Sequence, residues 1–459
     1  MRADQHPLRP QPGRIPRWVL AGLVALHVLA LGWQIYTHQP FFPDSDRYVQ
    51  AARNLRDAGV LYALPLHEKP LQLQEYTIRP PGYPVFLLLT GGAGTAFPVL
   101  TLLLQNGLSL LNLWLALRWL AHYTGGLHPW QWGAVLLLAV LTPAQFIYAN
   151  VLMSETMLQT AVVVLWLSIT KLLTGQWQQR TLSRAAVAAA LALLIKPVFW
   201  PFAAIFLAAG VVIGWRQRRV SIVAVSVVPL LAASLWIARN QQQTGYFHFS
   251  SISEINLLRY NARGVLQAAQ GPAAAEQFVR ATLAAAESRP GFAAQQQYVQ
   301  QHALAVLVQH PGTLVGQELR GVLTFFLDPG RFDVVHFLRL PQTAGSGLLQ
   351  LLNQRSYAAA LGYLRSLPLG LLGGLLLLLS ANVVRLFLVL KFSFNSRYPW
   401  AVRWGLVGLV LYVALLTGPL GAARFTVPVL PLLLAAAGAG LTRGRPSASA
   451  EQAQIGSAS

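Results

Sequence analysis

The sequence predicts an all-α polytopic membrane protein, a bundle of about ten transmembrane helices with two helical loop regions on the outer side. Three observations predict it. Of 459 residues, 55% are hydrophobic, mean hydropathy is +0.49, and Asp, Glu, Lys and Arg together make up 10%, well short of the ~25% of a soluble domain. Long apolar runs recur, several of 18 or so residues, enough to cross a ~30 Å hydrocarbon layer. The net charge of +20 is scattered through the short connections between those runs, the pattern of cytoplasmic loops attracted to anionic headgroups. Membrane lipids are therefore expected partners. Nucleic acid is not, because no basic domain stands apart from the spans. The chain has no cysteine, which excludes disulfides, thiolate metal sites and cysteine nucleophiles.

Residues 1–17, with Arg2, Arg9, Arg14 and Arg17, form a cytoplasmic tail. Residues 18–37 hold the first transmembrane helix, Trp18 to Tyr36, an uncleaved anchor because no small-x-small cleavage site follows. The positive-inside rule sends its C-terminal end out of the cytoplasm. Residues 38–84 are then a first periplasmic loop. Within it Ser45 to Ala58 reads as a helix, with Tyr48, Ala51, Ala52 and Leu55 at helical spacing and Gly59 to end it. The charged stretch that follows contains His67, Glu68, Lys69, Glu75 and Arg79. It closes on Pro80-Pro81-Gly82-Tyr83-Pro84, which cannot be helix interior.

Residues 85–238 carry spans two to seven, at about 97–120, 130–143, 155–173, 185–195, 198–215 and 220–238. Arg118, Lys171, Arg180, Arg184 and the run Trp215-Arg216-Gln217-Arg218-Arg219 mark inner ends. Spans five and six, joined at Lys196-Pro197, are short for full crossings. Residues 239–360 form a second periplasmic helical region, with helices expected at about 272–288, 293–309 and 312–327, and Pro272, Pro290 and Pro311 at their starts. The last ends Leu323-Thr324-Phe325-Phe326-Leu327 and is apolar enough to lie on the membrane interface. Residues 361–441 carry spans eight to ten, at about 367–390, 404–416 and 425–441, with Lys391, Arg397 and Arg403 in an inner loop. Residues 442–459, with Arg443 and Arg445, are a cytoplasmic tail. No internal repeat of the transporter kind is visible.

Only 14 residues are acidic, and two of them stand one residue apart beside the first span, in Phe42-Pro43-Asp44-Ser45-Asp46-Arg47-Tyr48. On a structural reading Asp44 caps the helix that follows and Asp46 is solvated. On a functional reading one of them is a general base at the membrane surface, taking a proton from an acceptor hydroxyl. The two uses are compatible, since a cap holds its side chain in a fixed place. Arg79, Lys196, Arg239 and Arg424 each lie near the outer end of a span or in the loop beside it, where charge is costly. Snorkelling to headgroups accounts for any one of them; four on one side favour a phosphate site, because Arg grips phosphate oxygens in a bidentate fork. Glu155, opening span four, caps that helix or orients a cation. His248 is a candidate supporting residue, and His302 and His310 make no metal spacing with it. No phosphate-cradling loop, Gly-x-Ser-x-Gly elbow or dinucleotide fingerprint occurs.

These elements, in this order, resemble the C-type (GT-C) membrane glycosyltransferases, in particular the bacterial relatives of protein O-mannosyltransferases and of aminoarabinose transferase. Asp44-Ser45-Asp46-Arg47-Tyr48 stands where the family has Asp-Glu-x-x-Tyr, with Ser45 in place of Glu and a second acid at Asp46. Arg79-Pro80-Pro81 is similar to the family's Lys-Pro-Pro element, with Arg in place of Lys. Ser154-Glu155-Thr156 is similar to the acidic element after span three, and Arg239-Asn240 to the Arg-Asn element opening the second loop. Arg424-Phe425-Thr426-Val427-Pro428-Val429-Leu430-Pro431 is similar to the family's Arg-Tyr-x-x-Pro-x-x-Pro. The likeness covers about residues 18–440.

The resemblance implies an inverting glycosyltransferase in the bacterial inner membrane, its active site facing the periplasm or outside. The donor would be a polyprenyl-phosphate-linked sugar and the acceptor a hydroxyl on a lipid, glycan or protein. Asp44, with Asp46 as the other candidate, would take the acceptor's proton. Arg79, Arg239 and Arg424, with Lys196, would hold the leaving phosphate, and Tyr48, Glu155 and His248 would support them. The mechanism does not require nucleotide binding; no cofactor is assigned, and a divalent cation is left open. Two other functions fit a polytopic chain. A lipid-linked glycan transporter or flippase would string its charges along a path through the bundle. An O-antigen polymerase or ligase would place its arginines mainly in a large outer loop.

Overall fold

The computed structural model describes residues 13–341 and 357–442. Expectations for residues 1–12, 342–356 and 443–459, including Arg2, Arg9, Arg443 and Arg445, lie outside the described residues. Among these the regular structure is helical throughout. Seven helices are long and apolar enough to cross a membrane: Arg17–Thr37, Val99–Thr124, Glu155–Leu173, Pro197–Gln217, Val220–Thr244, Leu369–Phe394 and Ala423–Gly440. Pro129–Val140 and Trp400–Leu416 are shorter and apolar. Gln179–Ile195 is a 17-residue helix whose first two turns carry Arg180 and Arg184. Each expected span thus has its helix, and seven of them meet the length for a crossing.

The axis of the bundle is Leu430–Gly440, buried at every position. It packs against Leu369–Phe394, Val99–Thr124 and Pro129–Val140. Lipid tails are as apolar as leucine, so helices in a bilayer associate through close packing, and small residues allow it. The run Ala435-Ala436-Ala437-Gly438-Ala439-Gly440 supplies them. A Cβ on Gly440 would stand 2.1 Å from the carbonyl oxygen of Leu388.

Pro428 and Pro431 break the start of this span into Ala423–Thr426, a 3-10 turn Val427–Val429, and the axial helix. Irregular backbone at such depth needs its polar groups satisfied, and the amide of buried Gln159 donates to the Val427 carbonyl. The expected third span is interrupted in the same way. Pro129–Val140 stops, and a short helix Pro143–Ile147 follows. Arg385, buried within Leu369–Phe394, donates to Thr142 Oγ1 at 2.7 Å at that break.

Helix direction brings one set of ends together. The segment after Arg17–Thr37, the start of Glu155–Leu173, Lys196 beyond Gln179–Ile195, and Arg424 at the head of the last span are joined by ion pairs. At the opposite end Arg397 donates to the Thr124 carbonyl at 2.7 Å, and Tyr398 Oη meets Thr442 Oγ1 at 2.9 Å.

Two extramembrane regions cover the first end. Ser45–Ala58 is helical as expected and stops at Gly59, whose φ of 66° is the left-handed cap glycine adopts at little cost. The loop beyond it is tied to the second region: Thr77 Oγ1 meets His248 Nε2 at 2.8 Å, and Ser251 Oγ donates to the Gln74 carbonyl at 2.8 Å. The second region has its own core, including Leu258, Val265, Ala275, Val279 and Ala303. Its helices Pro272–Glu287, Gly291–Gln309 and Pro311–Leu327 match the sequence expectation. The last exposes Val315, Leu319 and Leu323 along one stripe, suited to the membrane interface.

The tight helix crossing at Gly440 gives a stability prediction. Gly440→Val forces a side chain against backbone that no rotamer relieves, so it should lower stability by about 1–3 kcal/mol. Gly107→Ala, in open space, should change little. Thermal unfolding of the purified protein in lipid nanodiscs measures both.

Candidate active site

The site starts from Pro43-Asp44-Ser45. The Ser45 hydroxyl accepts from the Phe42 amide at 2.8 Å and fixes the turn into the helix. Asp44 occupies the cap position, yet its side chain makes no capping bond. It turns instead to two guanidiniums. Oδ1 accepts from Arg79 Nη2 at 2.7 Å, and Oδ2 pairs with Arg424 Nη1 at 2.7 Å. Burial pushes the Asp44 carboxyl up, but Arg79 and Arg424, with Lys196 beyond, outweigh it and hold the group well below the usual carboxylate range.

Glu155 is fully buried at the first turn of its helix and does not cap it. Its Oε1 accepts from Lys196 Nζ at 2.7 Å and Arg424 Nε at 2.6 Å. Arg424 therefore bridges the two carboxylates. Tyr48 lies under Arg79, whose guanidinium carbon is 4.7 Å from the ring centre, and Tyr48 Oη meets Ser154 Oγ at 3.1 Å. Arg79 Nε is buried with no hydrogen-bond partner. Three cations face two carboxylates, leaving one positive charge in excess.

The cluster forms part of the wall of a cavity of about 830 Å³, within the range of small-molecule sites. Asp44, Tyr48, Arg79, Lys196 and Arg424 line it. Apolar side chains, among them Val198, Trp200, Leu257, Val413, Leu416 and Pro428, make up much of the rest of the lining, with polar groups between them. Trp200 and Leu416 are among the exposed large apolar side chains.

The remaining candidates stand elsewhere. Asp46 is exposed and does not line the cavity, so the two acids of the motif face different surroundings. Arg239, expected beside the other cations, donates to the carbonyls of Tyr76 at 2.6 Å and Leu61 at 3.3 Å. It braces the first loop and is not in the cavity wall. His248 also holds loop to loop, through Tyr246 and Thr77; burial pushes its imidazole below the ordinary value. Among the described residues no three His, Asp or Glu side chains are grouped as for a metal ion.

Among the wall residues not singled out from the sequence are Tyr148, Asp328 and Asp333. Asp333 Oδ1 accepts from Tyr148 Oη at 2.9 Å. Asp328 accepts from the amides of Ala423 at 2.7 Å and Gly330 at 3.0 Å, fixing the backbone next to Arg424. The available signal was the scarcity of acids: Asp328-Pro329-Gly330-Arg331-Phe332-Asp333 places two of the 14 directly after an apolar helix.

No family model matches the chain, and no curated protein does. Among solved structures, ArnT from Cupriavidus metallidurans bound to undecaprenyl phosphate is 14% identical over 95% of this chain and 79% of its own, with a TM-score of 0.38. The apo state of ArnT is 14% identical over 92% and 77%, with a TM-score of 0.36. Arabinosyltransferase EmbB from Mycobacterium smegmatis is 16% identical over 92% of this chain and 41% of its own, with a TM-score of 0.32.

The buried carboxylate predicts a large penalty for its loss. Glu155→Gln leaves Lys196 and Arg424 without their shared counter-charge and should destabilise the fold by about 3–5 kcal/mol. Asp46→Asn, at an exposed carboxylate, should lie within about 0.5 kcal/mol of the parent. Thermal unfolding in nanodiscs distinguishes them.

Proposed function

We propose that the chain is a GT-C-type inverting glycosyltransferase. It moves a sugar from a polyprenyl-phosphate donor to an acceptor hydroxyl at the periplasmic or outer face of the bacterial inner membrane. The observation that carries the reading is the cavity at one end of the bundle, where Arg79, Lys196 and Arg424 are gathered side by side in the wall by shared carboxylates. Apolar side chains such as Val198, Leu257, Val413 and Leu416 line the same cavity. That combination suits a phosphate on a hydrocarbon tail. The sequence motifs through Asp44, Arg79, Glu155 and Arg424 support the same reading, since all four come together in one cluster.

In the proposed step the acceptor oxygen attacks the anomeric carbon from the face opposite the phosphate, which inverts its configuration. The carbon–oxygen bond to the phosphate breaks, and its electron pair leaves with the phosphate. Arg79, Arg424 and Lys196 stabilise that developing charge. Asp44 and Glu155 keep the guanidiniums and the ammonium aimed and lower the cost of burying them. Asp44 is a weak base while both its oxygens are held by arginines, so its principal part is to position them. Positive charge gathers in the connections at the opposite end of the bundle, which supports a cytoplasmic location for that end.

Two experiments test this reading. Arg79→Ala should weaken binding of undecaprenyl phosphate about tenfold or more, by removal of a charge-assisted contact; unchanged affinity would remove the phosphate site. Asp44→Asn should retain binding and lose transfer from a radiolabelled polyprenyl-phosphate sugar, whereas Asp46→Asn should keep both. Full transfer by Asp44→Asn would exclude it from the centre.

Sidedness is also open to test, because the chain has no cysteine to interfere. A cysteine at Asp46 should react with an impermeant maleimide from the periplasmic side. One at Gln217 should react only after the inner membrane is opened. The reverse pattern would place the cavity on the cytoplasmic face.

A further inference from the structure

We propose that Asp333, aligned by Tyr148, is the group that takes the proton from the acceptor hydroxyl. The inference rests on the transfer reading above and adds the one part that reading lacks, a proton acceptor. Asp333 and Tyr148 line the same cavity as Arg79, Lys196 and Arg424. Asp333 sits on the short helix Arg331–Phe337, whose preceding Gly330 has a φ of 71° and lets the chain turn directly back to the cavity. Its carboxyl is nearly buried and accepts a hydrogen bond from the neutral Tyr148 hydroxyl at 2.9 Å. Asp44 contrasts with it, since both Asp44 oxygens are engaged by guanidiniums.

The charged and titratable groups facing Asp333 are Tyr148, Asp328, Arg424 and Glu155. Burial pushes the Asp333 carboxyl up to about 7. Asp328 and Glu155 add to the rise, while the Tyr148 hydrogen bond and Arg424 oppose it. A base works best when its pKa is near the working pH, and Asp333 meets that condition where Asp44 does not. The step balances: the acceptor's O–H proton passes to the Asp333 carboxylate, the oxygen forms its bond to the anomeric carbon, and the bond to phosphate breaks with its electrons going to the phosphate. The proton then leaves Asp333 to solvent through the cavity.

Asp333 must be ionised to act, so kcat/KM should rise as pH increases through about 7 and level off above it. The test uses the full chain in nanodiscs, undecaprenyl phosphate as the binding probe, and undecaprenyl-phosphate hexoses and pentoses with cell-envelope lipids as the turnover probes. Asp333→Asn should bind undecaprenyl phosphate as the parent does, show transfer lowered roughly 100-fold or more, and lose the rise near neutrality. Tyr148→Phe removes a hydrogen bond that favours the ionised carboxylate, so it should move the rise upward by about one pH unit. A merely structural tyrosine would not move it. If the parent transfers sugar and Asp333→Asn keeps its rate and pH profile, the inference fails and the transfer reading stands. An unmoved profile in Tyr148→Phe also overturns the alignment by Tyr148. If the parent transfers none of the probe sugars although its undecaprenyl phosphate binding is intact, the transfer reading fails and this inference falls with it.

Discussion

Two carboxylates and three cations, Glu155 buried and the others half-buried, hold one end of this bundle together. Burying any one of these charges alone would cost several kcal/mol, and burying them as an alternating network recovers much of that. Arg424 is the centre of the network because its guanidinium has faces enough for both acids: Nη1 goes to Asp44 and Nε to Glu155. Lysine could not replace it on equal terms, since an ammonium is a point charge and not a planar fork. The arrangement also draws five parts of the chain to one place: the first loop at both its ends, the head of Glu155–Leu173, the Lys196 turn, and the head of the last span.

The position of Arg424 is set by packing farther down the same span. Leu430–Gly440 is fixed by backbone-close contacts with Leu369–Phe394 and by side chains of Val99–Thr124. The proline-broken turn above it then sets the direction in which the chain leaves the bundle. Gln159 takes up the Val427 carbonyl, and Asp328 takes up the Ala423 amide. The irregular turn is satisfied on both sides of Arg424, so the guanidinium projects from a fixed backbone. A functional group held in this way needs a supporting shell as much as its own ion pairs.

Much of this was legible in the sequence, and the limits have physical causes. Apolar runs and their basic ends located the helices because bilayer thickness and loop charge act locally. Ser45–Ala58 and its Gly59 stop were legible for the same reason. The side chain of Asp44 was not: capping and ion pairing use the same oxygens, and the choice was made by Arg79 and Arg424, whose approach is tertiary. Arg239 was grouped with the other cations on the strength of its place near a span end. The carbonyls of Tyr76 and Leu61 hold it to the first loop, an outcome that depends on loop geometry no local pattern encodes. Asp328 and Asp333 were passed over because they fall in a region legible mainly as helices, and their partners Ala423 and Tyr148 come from distant parts of the chain.

The two acids that line the cavity most differently are Asp44 and Asp333, and the difference follows from what neutralises each. Asp44 has positive neighbours, so its negative charge is stabilised and its affinity for a proton is low. Asp333 is nearly buried and has acidic neighbours, so its proton affinity is raised, with the Tyr148 hydrogen bond and Arg424 opposing the rise. A transfer that separates a proton from one end of the reacting pair and a phosphate charge from the other needs both environments within one cavity. In the proposed transfer the cation cluster meets the second need and engages Asp44 in doing so. A carboxyl outside that cluster, but within the same wall, is then the group left to meet the first.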